Sequence, residues 1–316
     1  MRLILTTLLL LILVTGCDEL KSYLGDDKEA IPSGDNTTTA VPVNLTNSTE
    51  VENITIVTIL EEDIFLPPRK SNLSIYVLDV DGQSVIFLKD ESSLLLDAGF
   101  ESDAEVILKR LRNIGIMNLD FAIVSNTNEG VLGGMPYIII QTSPATIYET
   151  GVPSTSSNYL IMKELINESI NKSTIVSTDK LFMFDDTFVK LMVIYDDGGG
   201  FSYNRDDNSI ITRLSYKENS FLFMSNCGFN CLERLSKEDI NSDALVIDGS
   251  CDSTTLTFLQ RVTPEVAIAT GDICDETKNR FKFLNIPLYT SKEHGDIKLE
   301  SDGKNFNLKY LKSRVE

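Results

Sequence analysis

Apolar runs along the chain are short, and their spacing divides it into segments of different kinds. Leu73–Val80, Val85–Leu88 and Leu94–Asp97 follow one another closely between turn residues, as the strands of a meander do. Asp103 to Ile114 carries apolar residues at helical spacing, with basic Lys109, Arg110 and Arg112 toward its end. Phe121–Val124 predicts a buried strand, and the polar turn Ser125-Asn-Thr-Asn-Glu-Gly130 runs from it toward Gly133-Gly134. An apolar run at Tyr137–Ile140 and a helical pattern over Tyr159–Ile170 come next. Phe188–Tyr195 predicts a strand, and Asn208–Ile211 with Phe221–Ser225 a hairpin. The remainder alternates: helix Cys231–Lys237, strand Ala244–Asp248, helix Thr254–Val262, strand Val266–Thr270, and a strand pair from Ile286. Such an order implies sheets flanked by helices, an α/β protein built as a four-layered αββα sandwich.

The first residues follow a different pattern. Arg2 precedes an apolar run from Leu3 to Val14, shorter than the ~20 residues that span a bilayer. It ends in Leu13-Val-Thr-Gly-Cys17, which has the form of a lipobox, so residues 1–16 are expected to be a lipoprotein signal peptide. Cys17 would then carry the lipid; the alternative is an ordinary signal peptide with an incidental cysteine. A two-chain lipid anchors stably where one acyl chain does not. Residues 17–70 are polar, rich in Thr, Asn, Ser, Asp and Glu, and are expected to be a disordered tether. Asn36, Asn44, Asn47 and Asn53 each open an Asn-x-Ser/Thr triplet there, and Asn72, Asn167 and Asn171 do so later. Their clustering predicts a glycosylated stalk, which with a lipobox suits an archaeal cell surface better than a bacterial one. Ile54 to Phe65 fits either a strand or an amphipathic segment. Residues 71–316 suit a single domain.

Composition narrows the chemistry. The 28 basic and 47 acidic residues give a net charge of −19, which repels phosphate backbones and argues against a nucleic-acid partner. The glycine run of Asp196–Gly200 lacks the Lys-Ser/Thr that completes a phosphate-binding loop. The one histidine of the chain is His294. A catalytic zinc site takes about three protein ligands, so a histidine-built dinuclear hydrolase is excluded. His294 itself reads as an exposed turn residue.

Two stretches, Ser93-Leu-Leu-Leu-Asp-Ala-Gly99 and Phe121 to Gly134, together resemble the start of the metallo-β-lactamase fold, most closely the β-lactamase-like domain of ComEC-type competence proteins. The resemblance runs from about Leu73 to Leu311. That family's turn reads Ser-His-x-His-x-Asp-His-x-Gly-Gly and holds two metal ions. On the same frame stand Asn126 and Asn128 for the leading histidines, Gly130 for the aspartate and Val131 for the last histidine. Its bridging aspartate falls on Cys227, and Asp248 stands where another histidine would. Asp97, Gly99, Gly133, Gly134, Gly249 and Ser250 match the pattern, and these shape loops. The resemblance implies the scaffold without its ligands, and hence no cofactor. Asp97 is expected to be a buried carboxylate accepting hydrogen bonds at a strand end.

Cys227, Cys231, Cys251 and Cys274 remain, an even number for an oxidising compartment. On the family's frame all four lie in loops at the mouth of the site. The expectation is two disulfides, Cys227–Cys251 with Cys231–Cys274. Cys227–Cys231 is the rival pairing, and a four-cysteine zinc site the alternative chemistry. The functional expectation is a non-catalytic binding or structural surface protein, held to the membrane by its lipid and meeting a protein or glycan. The alternative is a divergent hydrolase whose Asp97, Glu129, Asp248 and Asp272 hold a divalent cation.

Overall fold

The computed structural model describes residues 48–51, 54–59, 71–168, 172–193 and 204–311. All of these lie in one compact unit, Asn44–Glu316. Strands β1 (Ser48–Val51) and β2 (Ile54–Ile59) precede the meander β3 (Leu73–Val77), β4 (Val85–Lys89) and β5 (Ser92–Leu96). Helix α1 (Ala104–Asn113) leads to β6 (Phe121–Val124), then α2 (Glu129–Leu132), α3 (Met135–Thr142), β7 (Thr146–Thr150), α4 (Ser157–Glu168) and β8 (Lys172–Val176). Strands β9 (Lys180–Phe184), β10 (Thr187–Val193), β11 (Ile210–Tyr216) and β12 (Asn219–Phe223) form the next antiparallel run. The chain then alternates α5 (Phe229–Leu235), β13 (Ala244–Asp248), α6 (Leu256–Val262), β14 (Val266–Thr270), α7 (Asp275–Phe283), β15 (Leu288–Thr290) and α8 (Ser291–His294). It closes with β16 (Ile297–Ser301) and β17 (Phe306–Leu311).

These strands make two sheets, ordered β1-β2-β17-β16-β3-β4-β5-β6-β7-β8 and β15-β14-β13-β12-β11-β10-β9. Their facing sides bury one core, in which Phe87, Leu96, Ile123, Phe184, Phe221, Phe223 and Ile268 meet. The outer side of the first sheet packs on α1, α3 and α4 through residues such as Tyr76, Leu95, Ile107, Leu111, Ile138 and Met162. Leu222, Leu232, Leu245, Phe258 and Phe281 do the same between the second sheet and α5, α6 and α7. Because both faces are covered, central strands such as β3, β4 and β14 are buried at every position. The α/β sandwich of four layers is therefore the observed architecture.

Two expectations change, and one unassigned run finds its element. The apolar run Tyr137–Ile140 lies within α3, started by Pro136 in its first turn. Residues 17–70, expected to be a tether, supply β1 and β2; β2 takes the strand option left open for Ile54 to Phe65 and pairs in parallel with β17 from Ile54↔Phe306 to Ile59↔Leu311. The sheet thus begins before residue 71, because the open side of β17 takes a wholly β-branched segment. His294 is half-buried rather than an exposed turn residue, its ring against Tyr289 and Tyr310 at 5.2 and 4.7 Å and its Nδ1 3.0 Å from the Thr290 carbonyl.

A polar mouth sewn by amides

The predicted site residues gather where β5, β6, β12 and β13 end. Asp97 follows β5 in the left-handed region, at φ +62°, and is 2% exposed. It accepts from Ser125 N at 2.8 Å, Ser125 Oγ at 2.7 Å and Ser225 Oγ at 3.0 Å. Burial pushes its carboxyl up to about 7, although all three donors favour the charged form. Beside it lies a cavity of about 10 Å³, lined among others by Gln83, Ser84, Ser225 and Thr270.

The turn after β6 spends its side chains on the protein itself. Asn126, 1% exposed, donates from Nδ2 to Ser209 Oγ at 2.8 Å and to the Arg205 carbonyl at 3.1 Å. Its Oδ1 accepts from Asn128 N at 2.9 Å. Asn128 donates to Asp206 Oδ1 at 2.6 Å, and Gln83 donates to Asn226 Oδ1. Burial raises Asp206, while the Asn128 bond opposes the shift. Gly130 offers its carbonyl to Gln83 N at 2.8 Å and Val131 its own to Ala98 N at 2.7 Å. Val131 is fully buried. The first-sheet loops are thereby tied to the loop around residues 204–209 of the second.

The carboxylates of the alternative cation reading are each engaged separately. Asp97 is held by the two serines, Glu129 accepts from Asn158 Nδ2 at 2.9 Å, and Asp248 accepts from Ser250 N and Oγ at 3.1 and 2.7 Å. Asp272 is exposed and lines a separate cleft of about 320 Å³ with Asp79, Val80, Asp81, Gly271 and Lys292. Among the described residues no three His, Cys, Asp or Glu side chains are grouped to hold a metal ion. The four-carboxylate site is corrected accordingly, and the four-cysteine zinc site gives way to disulfides. The amides at the turn are committed to the protein too, with both Nδ2 groups donating to neighbours and the Asn126 oxygen accepting from Asn128 N.

The cysteine pairing is also corrected. Cys227 bonds Cys231 across the start of α5, with Cα atoms 5.5 Å apart, and Cys251 bonds Cys274 at 5.2 Å. Cys227 stands just before the extended N-cap Gly228 and Cys231 in the first turn of α5, which leaves them within bridging reach, and that local closure wins over cross-links between loops. Cys251 and Cys274 are juxtaposed because Gly249 and Asp272 pack backbone to backbone and Cys274 N donates to the Gly249 carbonyl at 2.7 Å.

Of the triplet asparagines, Asn167 is exposed on α4 and Asn72 is half-buried before β3. Cys17, Asn36, Asn44, Asn47, Asn53 and Asn171 lie outside the described residues. Sequence reasoning missed Asn158, Asp206 and Arg205 as partners of the mouth; nothing in their local pattern marks them, because they arrive there from distant segments.

No protein-family model matches the chain, and no curated protein matches it. Solved structures do. The metallo-β-lactamase fold protein YhfI from Bacillus subtilis aligns with a TM-score of 0.50 and 12% identity, over 71% of this chain and 98% of that one. Tm1679, a metal-dependent hydrolase of the β-lactamase superfamily, gives 0.47 and 14% over 69% and 94%. CmlA, a diiron β-hydroxylase from Streptomyces venezuelae, gives 0.48 and 10% over 75% and 55%. At such identity the likeness is one of architecture, and on that ground the chain has the metallo-β-lactamase fold.

Proposed function

We propose that this chain is a surface lipoprotein, anchored through Cys17, whose ComEC-like domain has exchanged metal ligands for a hydrogen-bonded frame and acts in binding or as a structural element. The observation that carries the reading is the use of Asn126 and Asn128. Both stand on the family's leading ligand positions, and both are committed to Ser209, Arg205 and Asp206. A side chain so engaged holds loops together in place of a metal. The donor set agrees, with Gly130 and Val131 offering no ligating atom on their side chains and Cys227 closed in a disulfide. The net charge of −19 leaves a protein or a glycan as the partner class and disfavours nucleic acid. Fold alone does not fix activity, so the reading rests on these side chains.

Elemental analysis of the purified chain, with assays on β-lactam, phosphodiester and thioester substrates, tests the loss of metal chemistry. The expected result is no stoichiometric zinc and no turnover. Zinc at one or two equivalents, lost together with an activity on chelation, overturns it. For the anchor, Cys17→Ser is expected to leave an unlipidated, uncleaved precursor; an unchanged mature mass with full membrane retention refutes that part alone.

A further inference from the structure

Strand β9 is the outermost strand of the second sheet among the described residues, and it is apolar on its solvent side. Leu181 is 64% exposed, Met183 46%, and Phe188, directly opposite Met183 on β10, 49%. Among the described residues no helix covers this corner, whereas the outer face further along the same sheet is buried under α5, α6 and α7. An open, flat, apolar edge is a template for another strand unless it is guarded.

The register fixes how a second copy of this strand would pair. The two-residue turn Asp185–Asp186 closes on the pair Phe184↔Thr187, so Phe184, Phe182 and Lys180 direct their main-chain groups to β10. Leu181 and Met183 are left to present theirs outward. A two-fold axis at Phe182 then sets Leu181 opposite Met183 of a second copy, and Met183 opposite its Leu181. Those pairs are hydrogen-bonded positions in an antiparallel ladder, and their side chains join the two Phe188 rings in one apolar stripe. Summed over the hairpin, charge is balanced in spite of the net −19. On and against this hairpin, Lys89, Lys180 and Lys190 balance Asp179, Asp185 and Asp186, with Lys190–Asp179 paired at 3.0 Å and Lys89–Asp186 at 3.3 Å.

We propose that the β9 edge is a self-association surface, at which a second copy of this chain pairs antiparallel about Phe182 and continues the sheet. A five-residue edge with three apolar side chains per copy is a small interface, so the dimer is weak and concentration-dependent. Asp179 meets Asp185 of the second copy across the axis, so association tightens as salt is added.

Sedimentation equilibrium of the full chain in density-matched detergent tests this. A reversible monomer–dimer equilibrium is expected. The double variant L181E/M183E faces like charges across the axis and weakens it by at least about tenfold. The variant L181K/M183E faces Lys against Glu in the same register and restores it. Both positions are exposed, so the thermal midpoint stays as in the parent chain and reports that folding is intact. A monomer at every concentration, or a dimer indifferent to both variants, overturns the proposal.

Discussion

Ser225 joins the second sheet to the first by donating its hydroxyl to Asp97 Oδ2 at 3.0 Å, across 128 residues of sequence. Both residues are held at positive φ, +46° and +62°, one past the end of β12 and the other just past β5. The carboxyl they share with Ser125 is buried, and burial raises it from 3.8 to about 7. A folded-state value above the unfolded one means the folded chain holds a proton that the unfolded chain has released. The stability from this group is therefore full below pH 3.8 and is lost as pH rises through about 7. Asp97→Asn keeps a neutral group of the same shape, and Asn accepts left-handed backbone readily. Denaturant unfolding between pH 4 and 8 should show the parent chain weakening with pH more steeply than the variant. Parallel curves for the two would show that Asp97 does not titrate in this range.

The Asn126 frame gives a second prediction. Asn126→Ala removes donors to Ser209 Oγ and to the Arg205 carbonyl, and an acceptor from Asn128 N. Ser209 is buried and the other two bonds are partly so, and the loss should be roughly 1–3 kcal/mol. Chemical denaturation measures it directly. A change near zero would mean that water replaces the amide and that the frame is not what holds the mouth.

Several of these parts are legible in the sequence, and others are not. Ala244–Asp248 and Val266–Thr270 are apolar runs between clear breakers, and they are strands with those bounds. Strands β8 and β9 are hard to read because they are edge strands, partly exposed and interrupted by polar residues, and β7 because Thr and Glu break its apolar run although it is buried. Helix α7 was missed for a related reason, since Asp275–Phe283 is mostly charged and buries only Thr277 and Phe281. The turn from Ser125 to Gly130 stood out in the sequence, but its partners did not. Asp206 and Ser209 reach it by folding from about eighty residues away, as the Asn126–Ser209 separation of 83 records.

The two disulfides should part company under mild reduction. Cys227 and Cys231 are 3% and 0% exposed, whereas Cys251 is open to solvent. Limited reductant followed by alkylation should therefore label Cys251 and Cys274 first, as read by peptide mapping. Replacing that pair by serine releases a loop of sequence separation 23 and should cost about 3 kcal/mol in the chain-entropy account. The Cys227–Cys231 bridge closes a separation of only 4 and should matter less through loop entropy. Simultaneous labelling of all four thiols would contradict the difference in burial.

Gly249 explains why the exposed bridge sits where it does. A Cβ on Gly249 would lie 1.6 Å from the Asp272 carbonyl oxygen and 2.6 Å from its carbon, both main-chain atoms with little freedom to move. Cys274 N bonds the Gly249 carbonyl at 2.7 Å, and the Cys251–Cys274 bridge clasps the same two loops from outside. Gly249→Ala must therefore push the loops apart against a covalent tie, and overpacking of this kind typically costs about 1–3 kcal/mol or more. If the tie is what resists, its removal relieves part of the strain. The cost of Gly249→Ala should then be smaller in the Cys251→Ser, Cys274→Ser background than in the parent chain, by roughly 0.5–3 kcal/mol. Four proteins and one denaturation curve each complete the cycle. Simple additivity would mean that the glycine answers to the packing of β13 and β14 alone, with the disulfide a bystander.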